Sequence, residues 1–353
     1  MAPFRFRMPR YLFPISLLGT AAGGIVLLKD YMGGKRYTGT ERMAGKTVIV
    51  TGANSGIGKE TCLELARRGA KVIMACRNLE SCEQAKAEIV LETANHSIHC
   101  RRLELASLAS IRAFAKYINA NESHLEVLIN NAGIMGCPKS LTEDGFEMQL
   151  GVNHLGHFLL TNLLLDLLKK SAPSRIITVS SIAHKWGDIH FDDLNSVKHY
   201  DPRAAYEQSK LANVLFTIEL AKRLEGTGVT ANCLHPGIVN TDLSRHMSIS
   251  KSVVSGGILS PLKWFIMKTP IQGAQTTLFL AIDPSVEKVS GKYFSDMHVK
   301  DIALQAKDEA AAKRLWAISE KWTRLSSRSQ SGGDGQNGTG SVIQSNLSKP
   351  EPV

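Results

Sequence analysis

The stretch Thr51-Gly52-Ala53-Asn54-Ser55-Gly56-Ile57-Gly58 constrains this chain more than any other. It follows a short β-branched run, Thr47–Thr51, and opens a segment with helical spacing, Ile57–Arg68, that stops at Gly69. Glycines in the pattern Gly-x-x-x-Gly-x-Gly let the backbone turn tightly between strand and helix and approach a ligand closely. The helix that starts there offers free N–H groups and a positive dipole end, the chemistry that takes up a pyrophosphate. A plain glycine-rich turn would look the same locally, so the surroundings must decide.

Those surroundings alternate. Val72–Ala75, Ile98–Leu105, Val127–Ile129, Arg175–Val179 and Val229–Leu234 read as buried strands. Between them, Leu79–Glu92, a helix holding Ile111–Ile118, Phe146–Leu168 and Ala204–Leu224 have helical periodicity. The pattern predicts an α/β fold, a single Rossmann-type doubly wound parallel sheet with helices on both faces. No linker interrupts it, so one domain is expected over residues 45–325.

The flanks differ. Leu12–Leu28 is apolar apart from Ser16 and Thr20, and three arginines precede it. Seventeen helical residues would reach about 26 Å, barely the thickness of a bilayer core. A signal anchor, a mitochondrial targeting segment and a helix lying in the membrane interface all fit; the Arg-rich, acid-free start favours the mitochondrial address. Residues 29–44 read as a linker, and 1–44 together as a targeting or membrane-associating segment. Residues 326–353, rich in Ser, Gly, Gln and Asn, read as a disordered tail.

Charge narrows the partners. The chain carries +10, from 42 Lys+Arg against 32 Asp+Glu. Half of that excess lies in the first forty residues, where six basic residues face the single acid Asp30. A membrane-directed end explains this better than nucleic acid, which is not expected as a partner. The six cysteines form no Cys-x-x-Cys and no zinc-spaced cluster with His, so reduced thiols and no metal are expected. His154 and His157, at i and i+3, read as packing and hydrogen-bonding residues.

Several strand ends converge on one edge, as the carboxyl ends of parallel strands do in such folds. Strand two ends at Arg77, where an acid would select a ribose hydroxyl and an arginine accommodates a 2′-phosphate, so NADP(H) is expected. Strand four delivers Asn130-Asn131-Ala132-Gly133, and strand five Ser180-Ser181. A hydroxyl there can bond a substrate carbonyl. Tyr206 and Lys210 lie four residues apart on one helix face, where an ammonium favours the phenolate and lowers the tyrosine pKa. Spacing alone carries little, since Tyr31 and Lys35 share it. Position in the fold singles out Tyr206 as a proton donor to a carbonyl.

This set of motifs resembles the short-chain dehydrogenase/reductase family over about Lys46–Phe294. TGANSGIG, NNAG, VNHLGHF, VSSIAH, YEQSK and HPG stand in the family's order. The resemblance implies a tetrad of Asn153, Ser181, Tyr206 and Lys210. Tyr206 would be the acid/base and Ser181, the second of its pair, the substrate carbonyl's orienter. Lys210 would bind ribose, Asn153 would hold a relay water, and Thr241 would touch the nicotinamide side. Ile249–Pro270 would be the substrate lid. Longer stretches look like the retinol dehydrogenase branch. That implies NADP(H)-linked interconversion of a lipophilic carbonyl and its alcohol, foremost reduction of all-trans-retinal to retinol. It also implies mitochondrial inner-membrane association, with the endoplasmic reticulum membrane as the alternative. A homodimer through the helices of Asn153 and Tyr206 is a further implication. Steroids and lipid-derived aldehydes or ketones are rival substrates, and a nucleotide-binding scaffold without turnover is a distant rival. One departure is Glu104, where the branch has Asp beside the adenine.

Overall fold

A computed structural model describes residues 33–239 and 267–325, together with Thr20, Gly23, Gly24, Leu27 and Lys29. The segment Leu12–Leu28, apart from four of those residues, most of Ile249–Pro270, Thr241 and the tail 326–353 lie outside the described residues. Among the described residues, no helix is long and apolar enough to cross a membrane.

The strands are β1 (Thr47–Thr51), β2 (Lys71–Cys76), β3 (Ile98–Arg102), β4 (Val127–Asn130), β5 (Ser174–Val179), β6 (Val229–His235), β7 (Tyr293–Ser295) and β8 (His298–Val299). They form one sheet in the order β3-β2-β1-β4-β5-β6-β7-β8. Every pairing is parallel except the terminal β7–β8. The strand order reverses between β1 and β4, the switch point outside which such sheets bind ligands.

The helices are α1 (Gly56–Arg67), α2 (Leu79–Thr93), α3 (Leu108–Asn121), α4 (148–170), α5 (Pro202–Arg223), α6 (Pro270–Ile282) and α7 (Glu309–Trp322). Successive strand side chains point to opposite faces, so each face gathers its own core. Val48, Val50, Met74 and Ile129 pack with α1, α2 and α6. Ile49, Ile73, Leu128 and Ile176 pack with α3, α4 and α5. The Leu-rich run 159–168 and Phe216 belong to this second core, as their spacing suggests.

Three expectations need correction. β3 stops at Arg102 rather than Leu105, because its partner ends there: Cys76 pairs with Arg102, and the Cys76 carbonyl accepts the last bond, from Leu103 N–H. Residues 33–44 are no free linker. Tyr37 N–H donates to Gln275 Oε1 at 2.8 Å, its ring meets Phe279, and Met43 is 1% exposed in the core. The thiols are not all reduced: Cys82 on α2 and Cys100 on β3 form a disulfide, while Cys62, Cys76, Cys137 and Cys233 are free and buried.

The C-terminal helix bears on the dimer that the resemblance implies. α7 lies over α4 and α5, with Trp316 4.9 Å edge-on from Phe158 and 5.8 Å from Phe216 between ring centroids. His154 Nε2 meets Ser319 Oγ at 2.9 Å, and Lys222 pairs with Glu309 at 2.8 Å. Around Phe158, Phe216 and Lys222, the two helices are covered by α7 from within the chain.

Candidate active site

The carboxyl ends of β1, β2, β4, β5 and β6 open into a cleft of about 1110 Å³. Its nucleotide end is built by the β1–α1 turn. Gly52 and Gly56 have φ of +64° and +54°, which side chains rarely tolerate. A Cβ on Gly58 would sit 2.3 Å from the Gly52 carbonyl oxygen, and one on Gly52 would sit 2.9 Å from Ala132 Cα. Ser55 is the N-cap of α1 but makes no side-chain capping bond, so the first N–H groups are left for a ligand. Gly52, Asn54, Ser55, Gly56, Ile57 and Gly58 all line the cleft. Ala53 does not; it is wholly buried. Asn54 Nδ2 donates to Ser81 Oγ at 3.1 Å, fastening the turn to the start of α2.

Arg77 lines the same end, its side chain 69% exposed and its Nε 3.6 Å from Glu104 Oε2. The Glu104 carboxylate is also held by Ala106 N–H at 3.1 Å. Glu104 therefore steadies the arginine. The family resemblance places it only beside the adenine. Asn131 is turned toward the fold, its Nδ2 donating to the Thr51 carbonyl at 2.8 Å while its N–H donates to Thr51 Oγ1. Its residue still forms part of the cleft wall. The cradle, the uncapped helix end and an arginine at the far rim fit a nicotinamide dinucleotide.

At the other end stand Ser181, Tyr206 and Lys210, all on the cleft wall. The structure separates the two serines. Ser180 Oγ donates to the Lys210 carbonyl at 2.8 Å and is spent there. Ser181 Oγ accepts Ala183 N–H at 3.2 Å, and the Ser181 side chain stands near enough to Tyr206 to lower its pKa. Lys210 Nζ donates to the Val179 carbonyl at 3.1 Å and lies 5.6 Å from the Tyr206 ring centroid.

The tyrosine's acidity runs against the expectation from spacing. Burial pushes Tyr206 up to about 12, only partly offset by Ser181. Burial also pulls Lys210 down to about 8. A buried site penalises a lone charge of either sign. Tyr206 is thus protonated at neutral pH, the state a proton donor needs.

Asn153 sits apart from the other three. It is fully buried, within a π-helical turn, Gly151–Leu155, of α4. Its Oδ1 accepts Ile134 N–H and its Nδ2 donates to the Ile134 carbonyl and to Ser209 Oγ, each at 2.9 Å. The side chain is fully engaged, so it acts as a brace; a relay water would have to use the backbone carbonyl. His184 supports the Ser181 turn from behind. It is buried, its Nδ1 at 2.7 Å from the Ser181 carbonyl and its Nε2 accepting Ala303 N–H. His235 lines the cleft, its Nδ1 accepting Ile182 N–H, and burial pulls it down to about 4. No group of metal-ligating residues occurs among the described residues.

Comparison with known proteins agrees with this geometry. The short chain dehydrogenase profile matches residues 46–251. Retinol dehydrogenase 13 of Homo sapiens is 56% identical over 319 residues, covering 90% of this chain and 96% of that protein. Retinol dehydrogenase 14 of Homo sapiens is 53% identical over 292 residues, covering 79% and 86%. Among solved structures, an uncharacterized protein from Mycobacterium paratuberculosis matches with a TM-score of 0.67 and 39% identity, over 82% of this chain and 98% of that one. A short chain dehydrogenase from Shigella flexneri, complexed with NADP, matches with a TM-score of 0.58 and 25% identity, over 74% and 100%. On sequence, fold and the order of its strand-end motifs alike, this chain is an oxidoreductase of the short-chain dehydrogenase/reductase family.

Proposed function

We propose that this protein is an NADP(H)-dependent oxidoreductase that interconverts a lipophilic carbonyl and its alcohol, with all-trans-retinal reduced to retinol. The observation that carries the reading is a protonated, buried Tyr206 beside Ser181 and Lys210, in one cleft with a glycine cradle ending at Arg77. The names of retinol dehydrogenases 13, 14 and 11 of Homo sapiens among the relatives support the retinoid. An NADP-complexed relative and the arginine at the end of β2 support the phosphorylated cofactor.

The nicotinamide cofactor, when bound, supplies or accepts the hydride. The chain handles the rest. Ser181 and Tyr206 hold the carbonyl oxygen, and the Tyr206 O–H passes its proton to that oxygen as it gains negative charge. Lys210, charged below a pH of about 8, stands beside the phenolate that results. Lys210 is also assigned to the ribose, and Thr241 to the nicotinamide side. Membrane association through residues 1–44 and a mitochondrial inner-membrane location belong to the same proposal, supported by the basic, acid-free start and the apolar run Leu12–Leu28. Fractionation of cells expressing the full chain tests that part.

The test of activity is the loss of NADPH absorbance with all-trans-retinal, for the full chain and its Tyr206→Phe variant. Turnover by the former, with a loss of 10²–10⁴-fold in the latter, is the expected result, about the range of a general acid. Equal turnover by both would overturn Tyr206 as proton donor. NADPH binding without turnover of retinal, steroids or lipid-derived aldehydes would leave the nucleotide-binding scaffold.

A further inference from the structure

His157 is used by nothing in the mechanism above, yet it sits between both halves of the site. It is 1% exposed. Its Nδ1 lies 3.0 Å from the Asn153 carbonyl oxygen and its Nε2 2.9 Å from Thr51 Oγ1. A carbonyl oxygen only accepts, so Nδ1 carries the proton and Nε2 is left as an acceptor.

Thr51 completes the assignment. Its hydroxyl oxygen accepts the N–H groups of Asn131 and Ala132, each at 2.9 Å, which fills both lone pairs. Its one hydrogen remains for His157 Nε2; the Ile129 carbonyl is farther off, at 3.5 Å. The other side closes equally well. Asn153, whose carbonyl the histidine holds, is braced by its side chain to Ile134 and to Ser209, and Ser209 Oγ donates to the Tyr206 carbonyl at 2.7 Å. The donors and acceptors around the imidazole are matched, with the Asn131 N–H shared between Thr51 Oγ1 and the Ile129 carbonyl at 3.1 Å. Burial keeps the ring neutral, as this arrangement requires, and the nearby charge of Lys210 acts in the same direction.

We propose that His157 is a positioning residue: it fastens the cleft floor, Thr51 with the Asn131–Ala132 turn, to the π-helical turn that holds the Tyr206 helix through Asn153 and Ser209. The proposal rests on the reading of Tyr206 as proton donor, and sets the register between that hydroxyl and the nucleotide. A histidine that merely filled space would be indifferent to its tautomer and to the threonine hydroxyl. This one is a hydrogen-bonded bridge in which a single flipped donor would leave two buried groups unpaired.

The test uses the full chain, wild type and the variants His157→Gln, His157→Leu, Thr51→Val and Thr51→Val/His157→Leu. Glutamine keeps one donor and one acceptor; leucine keeps neither. Steady-state kinetics with NADPH and all-trans-retinal should show kcat lowered about tenfold or more in His157→Leu and in Thr51→Val. The KM for NADPH should move less than about threefold, since the cradle itself is intact. The double variant should be no worse than the weaker single variant, because both remove one bridge. His157→Gln should recover most of the loss. An unchanged kcat with only a lower melting temperature, multiplying losses, or glutamine no better than leucine would each overturn the proposal. If the wild type turns over no carbonyl, the functional reading fails, and ¹⁵N-histidine spectra still decide the bridge. A neutral His157 protonated on Nδ1, with an Nε2 resonance that shifts in Thr51→Val, upholds it; the opposite tautomer overturns it. Should His157→Leu fail to fold, Thr51→Val and His157→Gln carry both readouts.

Discussion

Lys210→Met should abolish activity and yet stabilise the protein. Burial lowers the Lys210 ammonium from 10.5 to about 8. At about 1.4 kcal/mol per pH unit, holding that charge costs the folded state about 3 kcal/mol at neutral pH. Methionine fills nearly the same space as the lysine stem and carries no charge. What it loses is the bond to the Val179 carbonyl, worth about 1 kcal/mol; that carbonyl keeps a second, longer partner in Asn213 Nδ2 at 3.4 Å. The net gain is about 2 kcal/mol, or roughly 5 °C in melting temperature for a domain of this size. The pH dependence gives the sign an independent check. Between pH 8 and 10.5 the unfolded chain still binds a proton that the folded chain has released, so wild-type stability rises there relative to the variant. Below pH 8 both states are charged and the penalty is constant; above 10.5 neither is and it vanishes. Denaturant melts at pH 7, 9 and 10.5, without nucleotide, should show the variant ahead at pH 7, the gap closing, and the wild type slightly ahead at the top. A variant less stable at pH 7, or a gap independent of pH, would refute the reasoning.

Other perturbations reach the rest of the molecule. Arg77→Ser should weaken NADPH binding by about 10–100-fold, the worth of a lost charge-assisted phosphate contact, and leave NADH binding nearly unchanged; nucleotide titration of tryptophan fluorescence checks both. Gly58→Ala should impair both nucleotides alike, because its Cβ would lie 2.3 Å from the Gly52 carbonyl oxygen and must push the turn apart, which the same titration would show. Cys82→Ser should lower stability by about 3 kcal/mol, the chain-entropy value for a loop near the 18-residue separation of the disulfide; reductant should shift the wild-type melt and not the variant's. Trp316→Ala should cost about 3–5 kcal/mol in denaturant melts, since it uncovers Phe158 and Phe216 together and removes the ring under Arg223.

What could be read from the sequence was what is local. The β1–α1 turn announces itself because tight turning and ligand approach both demand glycine at fixed offsets. The parallel strands announce themselves because burial on both faces leaves almost unbroken apolar runs. Tyr206 and Lys210 share a helix face at a spacing set by the helix itself. The remainder depends on distant partners. Residues 33–44 look like a linker by composition, with Gly33, Gly34 and Gly39, yet Tyr37 finds Gln275 across 238 positions. Thr51 and His157 stand 106 residues apart, and neither type signals the other. The Cys82–Cys100 pair needs α2 laid against β3 before it can form. β7 and β8, of three and two residues, are too short for periodicity to register.

The lysine's part in the site follows from magnitudes rather than from spacing. At rest its ammonium faces the Val179 carbonyl, and burial, only partly offset by Ser181, holds the Tyr206 pKa up at about 12. Once the proton has gone to substrate, a phenolate whose ring centroid lies 5.6 Å from that ammonium carries the charge. At an effective dielectric constant of about 20, such a pair attracts by about 3 kcal/mol, equivalent to roughly two pKa units. The attraction therefore offsets the penalty that burial imposes on the phenolate. Burial raises the cost of either charge alone and strengthens the pair, so Lys210 does most for Tyr206 after proton transfer, in the state where the tyrosine would otherwise be least stable.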